Sequence, residues 1–279
     1  FAALLVAASL TALTGPRPRA AAFMGGLACG LASLCRPSLL PAAGLIALAG
    51  LVRPPGTLRV RAIRASLVAL GVVLVLTPWA IRNAIALGEP IGTTTHGGHT
   101  LALGNNPYYY HDVLDGPPGT VWHGPNQAIW FQHVADVKDG RTEAQADRVL
   151  LAEGLRMLRD RPRDFARATW DRLGRFWGLA PAGAVYSRSL RLATAAWTLP
   201  LWLALACGLA RRDLWRWPDI AAPAFLLALT LVHAFFWTDL RMRAPLVPAI
   251  ALIAAGAGLP QPRTPKPGPC ADETCRRLR

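Results

Sequence analysis

Five apolar runs around one polar insert limit the architectures open to this sequence. The runs cover residues 23–51, 65–81, 192–210, 220–237 and 244–259, and several approach the roughly 17–25 residues that a membrane-spanning helix needs. Only 16% of the 279 residues are charged, whereas soluble proteins carry about 25%. We therefore predict an all-α polytopic membrane protein.

The formal net charge of +14 is concentrated in the short connections between the apolar runs. Residues 82–188 hold 12 basic and 11 acidic residues, and the rest of the chain holds 18 basic and 5 acidic residues. Fourteen of those 18 lie in four short segments: Arg17 and Arg19; Arg53, Arg59, Arg61 and Arg64; Arg211, Arg212 and Arg216; and Arg263, Lys266, Arg276, Arg277 and Arg279. Short basic loops are typical of the cytoplasmic side. The charge thus indicates membrane topology, and we expect no nucleic-acid partner.

This sidedness predicts four parts. Residues 1–81 are transmembrane helices, residues 82–188 are an external loop domain of mixed irregular and helical structure, residues 189–260 are three further transmembrane helices, and residues 261–279 are a disordered cytoplasmic tail. The chain starts inside an apolar run without a basic segment before it, which is unlike a signal peptide. We therefore expect that N-terminal helices are missing from this sequence.

The apolar stretch of residues 20–51 is too long for one ordinary span and carries Arg36-Pro37 in its middle. One interpretation is a single kinked helix with an arginine at mid-bilayer, which would cost about 2.5–3.5 kcal/mol. The other is a hairpin of two short helices that turns at Arg36-Pro37-Ser38. We favour the hairpin because it places both flanking basic clusters on one side, with Arg36 at the outer side.

The external domain begins where Thr77-Pro78 is predicted to close a helix, because proline lacks a backbone donor and disfavours helix in the preceding residue. The glycines between residues 88 and 104 and the Asn105-Asn106-Pro107 turn then predict an ordered loop rather than another helix. The first half of the domain is accordingly predicted to be irregular.

The second half of the domain is predicted to be helical. Thr142 and Gln145 have the spacing of a capping box, and the residues expected on the apolar face of the helix that follows are Leu151, Leu155 and Leu158. Pro162 can open a second helix. The residues expected on its apolar face are Ala166, Trp170, Leu173 and Trp177. We expect both helices to lie along the outer membrane surface and to pack on the bundle.

Four motifs follow one another along the chain. They are Pro78-Trp79-Ala80-Ile81-Arg82-Asn83, the loop with Gly97-Gly98 and Gly104-Asn105-Asn106-Pro107, the Arg175-Phe176-Trp177 segment after the capped external helix, and Arg241-x-Arg243-x-Pro245 before the last helix. In this order the pattern resembles the C-terminal half of bacterial family-39-type, GT-C fold glycosyltransferases, which are relatives of the protein mannosyltransferases and the aminoarabinose lipid A transferases. The resemblance covers most of residues 26–255.

The resemblance implies an integral-membrane glycosyltransferase in a bacterial cytoplasmic membrane. Such enzymes pass a sugar from a polyprenyl-phosphate-linked donor to a lipid, glycan or protein acceptor at the outer face, and they are usually independent of metal and other cofactors. Their catalytic acid lies in the first external loop, which would be N-terminal to Phe1. The resemblance therefore assigns no catalytic residue here.

The resemblance and the topology together predict a donor-phosphate site at the outer boundary. Four arginines fall there: Arg36, Arg82, Arg241 and Arg243. A guanidinium group can bind phosphate in a bidentate manner, and fixed cations would stabilise the charge that develops on the departing phosphate. The alternative interpretation is that these arginines are ordinary interfacial anchors.

Three residues of the Gly-rich loop are candidates for bordering a substrate cavity. Asn105 and Asn106 could offer amide groups to sugar hydroxyls, or their side chains could simply hold an Asn-Pro turn. Tyr108 could stack on a sugar face or sit in the aromatic belt of the membrane interface.

Two histidines and one aspartate complete the candidate cavity residues. His96 and His99 flank Gly97-Gly98, where the family resemblance would lead us to expect asparagine or another plain polar residue. They could serve as acid–base groups, but two histidines without a third ligand do not predict a metal site. Asp239 precedes the outer arginines and could orient them.

A second hypothesis is a non-enzymatic membrane protein, either a transporter or a scaffold with an external interaction domain. Transporters tend to show internal repeats with broken helices placed symmetrically in two halves. No such repeat is visible here, since one large insert divides the chain unevenly.

Overall fold

The structure is a computed structural model that describes residues 1–117, 119–183 and 186–258. It is 77% helix, and no strand occurs within these ranges. The all-α prediction is therefore confirmed. The predicted disordered tail of residues 261–279 lies outside the described residues.

The chain forms twelve helices within the described ranges. They are α1 (Ala2–Leu13), α2 (Pro18–Cys35), α3 (Leu40–Val52), α4 (Leu58–Leu87), α5 (Gly97–Gly104), α6 (Pro107–Tyr109), α7 (Pro125–Lys138), α8 (Glu143–Asp160), α9 (Pro162–Phe176), α10 (Arg188–Leu209), α11 (Ala221–Phe235) and α12 (Val247–Gly256). Short 3₁₀ turns cover Pro37–Leu39, Asp213–Trp215 and Leu240–Leu246, and one π turn covers Tyr110–Leu114.

Three helices of the described chain, α2, α4 and α10, are long and apolar enough to cross a membrane. This is compatible with a membrane protein. Helices α11 and α12 have 15 and 10 residues and are shorter than the spans predicted for residues 220–237 and 244–259. Helix α11 stops early because Phe236 is extended and Trp237 donates its N–H to the carbonyl oxygen of Thr100, 3.3 Å away.

The long apolar stretch of residues 20–51 is divided at Arg36, whose backbone is extended. Helix α2 runs parallel to α4, because Gly26 approaches Val68 and Gly30 approaches Val75. Helix α3 ends at Val52 and α4 begins at Leu58, so the connection between them is short. Helix α3 must therefore run back towards the start of α4. The segments on either side of Arg36 thus run in opposite directions along α4, as in the hairpin alternative.

The basic turns gather at one end of this bundle. Arg17 and Arg19 share a surface recess with Arg64 at the start of α4. The turn that contains Arg211 lies at the same end, because Trp217 just beyond it faces Gly50 near the end of α3. The charge asymmetry of the sequence is therefore also a spatial asymmetry of the folded chain.

The prediction that Thr77-Pro78 closes a helix is wrong. Helix α4 continues through Pro78 to Leu87 and ends at Gly88, which adopts the left-handed conformation with φ of 72°. The Thr77 hydroxyl donates to the carbonyl oxygen of Val73 at 2.7 Å. Such side-chain bonds and the packing of neighbouring helices let a membrane helix tolerate a proline.

The prediction of an irregular first half of the insert is also wrong, since α5 and α7 both lie there. Helix α5 forms from the Gly-rich stretch because Gly98 lets its backbone lie directly on α8. A Cβ atom at Gly98 would overlap the backbone oxygen of Asp147 and lie 2.6 Å from the nitrogen of Leu151. Tertiary packing therefore outweighs the weak helix propensity of the glycines.

The capping box of α8 is confirmed, because Gln145 N–H donates to the Thr142 hydroxyl at 3.3 Å and Thr142 N–H donates to the Gln145 side chain at 3.1 Å. The predicted apolar face of α8 is offset from the buried one. The buried residues are Ala146, Leu150 and Gly154, whereas Leu151 and Leu155 are exposed. Small residues are buried here because α5 and α8 pack closely.

The apolar face predicted for α9 needs the same kind of correction. Its buried residues are Ala168, Arg172 and Phe176, and Trp170 is 82% exposed. The buried stripe includes an arginine, which a pattern of apolar residues does not detect. We explain below why that arginine can be buried.

The close contact between α2 and α4 predicts that Gly71 tolerates no side chain. A Cβ atom there would lie 2.6 Å from the carbonyl oxygen of Phe23 and 2.7 Å from the nitrogen of Leu27. We expect Gly71→Ala to lower the free energy of unfolding by about 1–3 kcal/mol, because backbone would have to move. Thermal unfolding in lipid nanodiscs measures this.

The matched control for this prediction is Gly44→Ala, because a Cβ atom at Gly44 in α3 meets nothing within 4 Å. Its expected effect is neutral or stabilising by up to about 1 kcal/mol, from helix propensity. Equal unfolding temperatures for the two variants would contradict the packing argument.

Candidate functional site

A cavity of about 390 Å³ lies between the insert, residues 82–188, and the segment that follows α11. Its aromatic walls are formed by Tyr109, Trp122, Phe131, Tyr186 and Trp237. Its polar and charged lining comes from Thr120, Gln127, Arg175, Thr238 and Asp239. Apolar walls with a few converging polar groups are typical of small-molecule sites.

Local folding explains how these side chains meet. Trp122 precedes α7 and packs edge-on against Tyr109 of α6, with ring centroids 5.5 Å apart. On the opposite side, the chain leaves α11 in an extended conformation at Phe236, so that Trp237 can bond to Thr100 of α5. The extended segment therefore presents residues 237–240 to the cavity.

Arg175 of α9 is held firmly at the cavity wall. Its Nε donates to Asp171 Oδ2 at 2.6 Å, and its Nη2 donates to the carbonyl oxygen of Thr120 at 3.0 Å. Burial favours the neutral form, but the carboxylates of Asp171 and Asp239 outweigh burial and raise the pKa of Arg175. Within the described residues, Nη1 of Arg175 makes no hydrogen bond and remains available for a ligand.

Thr238 carries an unusual buried hydroxyl group. The residue is only 4% exposed, and its Oγ1 has no hydrogen-bond partner in the described part of the chain. A buried hydroxyl without a partner costs about 1–3 kcal/mol, and such groups are rare in folded proteins. The neighbouring Asp239 side chain is 43% exposed and pairs with Arg241 at 3.3 Å.

Tyr109 supplies a neutral hydroxyl to the same cavity. Burial, with a further contribution from the Asp171 carboxylate, raises the pKa of Tyr109 to about 12. The phenol therefore stays protonated at physiological pH and can donate a hydrogen bond.

A buried arginine supports the cavity from behind. Arg172 is fully buried, and its Nη1 donates to Gly104 O at 2.7 Å and to Asn105 Oδ1 at 3.1 Å. Its Nη2 donates to Ala234 O at 2.9 Å and to the Thr169 hydroxyl at 3.2 Å. No carboxylate bonds to it within the described residues.

The position of these oxygen atoms explains why Arg172 can be buried. Gly104 is the last residue of α5, and Ala234 lies in the last turn of α11. The carbonyl groups at helix C-termini carry partial negative charge, so they favour a cation. Burial still lowers the pKa of Arg172 from its usual value. The arginine thus joins α5, α9 and α11 at one point.

The four arginines predicted to bind phosphate do not line the cavity. Arg36 Nη2 donates to Met242 Sδ at 2.6 Å, so Arg36 lies beside the Leu240–Leu246 turn. Arg243 Nη1 donates to the carbonyl oxygens of Phe176 and Gly178 at 3.0 and 2.7 Å. Arg241 belongs to the same turn and is linked to the cavity through Asp239.

Arg82 makes different contacts from the other three arginines. It is exposed on α4, stacks over the Trp79 ring at 5.3 Å and donates to Asn83 Oδ1 at 3.0 Å. Within the described residues, neither of these two contacts involves the Leu240–Leu246 turn. An arginine that serves only as an interfacial anchor is expected to make such contacts.

Asn105 and Asn106 use their side chains within the fold. Asn105 Nδ2 donates to the carbonyl oxygens of Leu101 and Phe235, both at 2.8 Å, and its Oδ1 accepts from Arg172. Asn106 Oδ1 accepts the N–H of Tyr109 at 2.8 Å and caps α6. Both residues are buried, as the turn-holding alternative requires, and neither lines the cavity.

Tyr108 packs against the aromatic core of the insert, and its neighbour Tyr109 is the tyrosine of this turn that lines the cavity. Of the six residues predicted to border a substrate cavity, Asp239 alone lines the cavity between the insert and α11. Sequence reasoning missed Thr238 and the role of Arg172. A signal for Arg172 was its helical spacing with Ala168 and Phe176.

His96 and His99 lie beside a separate recess of about 160 Å³. Their rings stack at 4.5 Å, and the His99 ring also contacts Trp130 at 5.4 Å. Burial, then the nearby His96 and Lys138, lower the pKa of His99 to about 4, although Asp147 opposes this. Within the described residues, no group of three side chains suited to a metal ion occurs.

The described fold and site define an all-helical protein that has three helices of membrane-spanning length and an aromatic, polar cavity outside them. Comparison with protein-family models, curated proteins and solved structures gave no match for this chain.

The burial of Arg172 predicts a large stability effect. We expect Arg172→Met to lower the free energy of unfolding by roughly 3 kcal/mol or more, because several buried oxygen atoms lose their donor. Thermal unfolding in nanodiscs measures the loss. The control is Arg163→Met on the same helix, since Arg163 is exposed, and a similar loss in both variants would contradict the role of Arg172.

The lowered pKa of His99 predicts acid sensitivity of the insert. Unfolded His99 takes up a proton near pH 6.5, and folded His99 does so only near pH 4. Stability is therefore fully present above pH 6.5 and is lost as the pH falls towards 4. After correction for the intrinsic exchange rate, which itself falls with pH, the protection of amides in α5 and α8 should decrease between pH 7.5 and pH 5.

His99→Phe should weaken this pH dependence, because phenylalanine keeps a ring beside His96 and Trp130 but cannot be protonated. His123→Phe is the control, since His123 is exposed. An unchanged pH dependence in His99→Phe would assign the effect to other groups.

Proposed function

We propose that this protein is an integral-membrane glycosyltransferase of the GT-C type. It would transfer a sugar from a polyprenyl-phosphate-linked donor to a lipid, glycan or protein acceptor at the outer face of a bacterial cytoplasmic membrane. The observation that carries the proposal is the aromatic cavity next to the arginine-bearing Leu240–Leu246 turn. This turn lies at the end of the bundle opposite the basic connections.

The sidedness supports an external location for the cavity. Basic turns favour the cytoplasmic side, and the turn with Arg211 lies at the end of α3 where Trp217 faces Gly50. Arg36 lies at the other end of α3, beside Met242. The insert contacts that end through Asn105, which bonds to Phe235 at the end of α11. The insert would therefore be an external, periplasmic domain.

The cavity lining suits a carbohydrate. A sugar ring has C–H groups on its faces and hydroxyl groups at its edge, so it can contact the rings of Trp122 and Trp237 while it bonds to polar side chains. Aromatic residues that combine an apolar face with polar neighbours are well suited to such amphipathic ligands. Gln127, Arg175 and Asp239 offer both donors and acceptors at the same wall.

The charges near the Leu240–Leu246 turn suit a lipid-linked phosphate. Arg36 and Arg243 donate to sulfur and to carbonyl oxygens, and neither forms an ion pair within the described residues. Their positive charges are therefore not neutralised by a nearby carboxylate. Guanidinium groups in this state would attract a phosphate at the membrane boundary and stabilise it as a leaving group.

The proposed mechanism assigns binding, rather than proton transfer, to the cavity and the arginine-bearing turn. In the enzymes that the chain resembles, the carboxylate that deprotonates the acceptor hydroxyl lies in the first external loop. The arginines beside the Leu240–Leu246 turn would hold the donor phosphate, and the insert would shape the space for the sugar and acceptor.

Substitution of the two arginines tests this proposal. We expect Arg36→Gln and Arg243→Gln each to weaken binding of a polyprenyl-phosphate sugar about tenfold, because each removes a charge-assisted hydrogen bond. Binding is measured in nanodiscs, and sugar transfer is measured against a panel of polyprenyl-phosphate sugars. Circular dichroism of each variant reports whether the fold is retained.

Arg64→Gln is the control, because Arg64 lies at the opposite, basic end of the bundle. Unchanged donor binding in both folded test variants would show that the phosphate role is wrong. If the wild-type protein neither binds nor transfers any sugar of the panel, the transporter or scaffold hypothesis would be favoured.

A further inference from the structure

We infer that the cavity holds one or two uncharged sugar rings, with the Thr238 hydroxyl, Arg175 Nη1 and the Asp239 carboxylate as the groups that select them. This inference deepens the proposed function and rests on it for the ligand class. It separates the site of the sugar from the site of the donor phosphate.

The Thr238 hydroxyl is the first reason to place a polar ligand in the cavity. Thr238 lines the cavity and is only 4% exposed. Its Oγ1 has no hydrogen-bond partner in the described part of the chain. Its burial therefore has a cost that no described protein group offsets. A ligand hydroxyl in the cavity would supply the missing hydrogen bond.

The segment that carries this hydroxyl is held rigidly. Trp237 donates its N–H to Thr100 of α5, and Gly104 packs so closely that a Cβ atom there would lie 2.9 Å from the Trp237 nitrogen. The consecutive residues Trp237, Thr238 and Asp239 of this segment thus line one cavity. A rigid arrangement reduces the entropy lost when a ligand binds.

The balance of charge argues against an anionic ligand in the cavity. The lining contains one cation, Arg175, and one anion, Asp239. Arg175 is already paired with Asp171 at 2.6 Å, and Asp239 is paired with Arg241 at 3.3 Å, so these four charges balance. A phosphate or a sugar carboxylate would meet no unpaired cation here, unlike at Arg36 and Arg243.

The remaining lining favours a neutral ring. Arg175 Nη1 and the Thr238 hydroxyl can donate, and Asp239 can accept, which matches the mixed character of sugar hydroxyls. The volume of about 390 Å³ lies near the lower end of the range of about 300–1,000 Å³ for small-molecule sites. The space therefore suits one or two rings rather than a long glycan.

Thr238→Val tests the inference because it removes the hydroxyl and preserves the shape. The probes are methyl glycosides of a neutral hexose, a uronic acid and an amino sugar, and binding to the protein in nanodiscs is followed by saturation-transfer NMR. We expect the neutral glycoside to bind best and to bind roughly two- to tenfold more weakly to Thr238→Val. Thr238→Ser retains a hydroxyl and should bind nearly as well as the wild type.

Stability separates this role from a structural one. Because Oγ1 of Thr238 has no described partner, Thr238→Val should leave the unfolding temperature unchanged or raise it. The inference is overturned if Thr238→Val binds the neutral glycoside like the wild type, if it lowers the unfolding temperature, or if the uronide or the amino sugar binds best.

Donor binding distinguishes failure of this inference from failure of the proposed function. Suppose that binding of the polyprenyl-phosphate sugar still depends on Arg36 and Arg243, while Thr238→Val has no effect on binding of the free glycoside. The cavity assignment is then wrong and the glycosyltransferase proposal stands. If neither the lipid-linked donor nor any free glycoside binds, both are wrong.

Discussion

The burial of Arg172 is the interaction on which the insert-bearing half of the structure depends. Its guanidinium group bonds to the last carbonyl of α5 and to a carbonyl in the last turn of α11, so one side chain joins the insert to the helix bundle. A buried cation normally requires a carboxylate, but two helix C-termini supply negative potential here without adding a second charge. The extended segment after α11, and the cavity wall that it forms, follow from this junction.

The contact between α2 and α4 in the helix bundle is organised differently. Helices α2 and α4 approach through Gly26 and Gly71, whose lack of side chains lets the backbones come close. Membrane helices gain little from the hydrophobic effect against each other, so close van der Waals packing of small residues stabilises their association. The hydrogen bonds of Arg172 at one end and the glycine packing between α2 and α4 therefore stabilise the fold by different interactions.

These two arrangements suggest how recognition of a lipid-linked sugar could be divided. Within the described residues, Arg36 and Arg243 at the bundle end have no carboxylate partner, and a phosphate at the membrane boundary would bind there in the proposed function. The cavity presents balanced charges and aromatic walls, which suit a neutral ring. Asp239 connects the two regions, because it lines the cavity and pairs with Arg241 of the arginine-bearing turn. Separate sites would let sugar and phosphate be selected by different chemistry.

Sequence alone determined the features that depend on composition or on neighbours a few residues apart. The all-helical class, the concentration of basic residues in short turns and the Thr142–Gln145 capping box are of this kind, since each arises within one short segment. Only tertiary structure decided the passage of α4 through Pro78, the helix at Gly98 and the burial of Arg172. It also decided that Thr238, and not Asn105, faces a cavity. The reason is physical: the helix at Gly98, the burial of Arg172 and the position of Asn105 depend on contacts between residues 48 to 130 positions apart. Examples are His99 with Asp147 and Asn105 with Phe235, which no local pattern records.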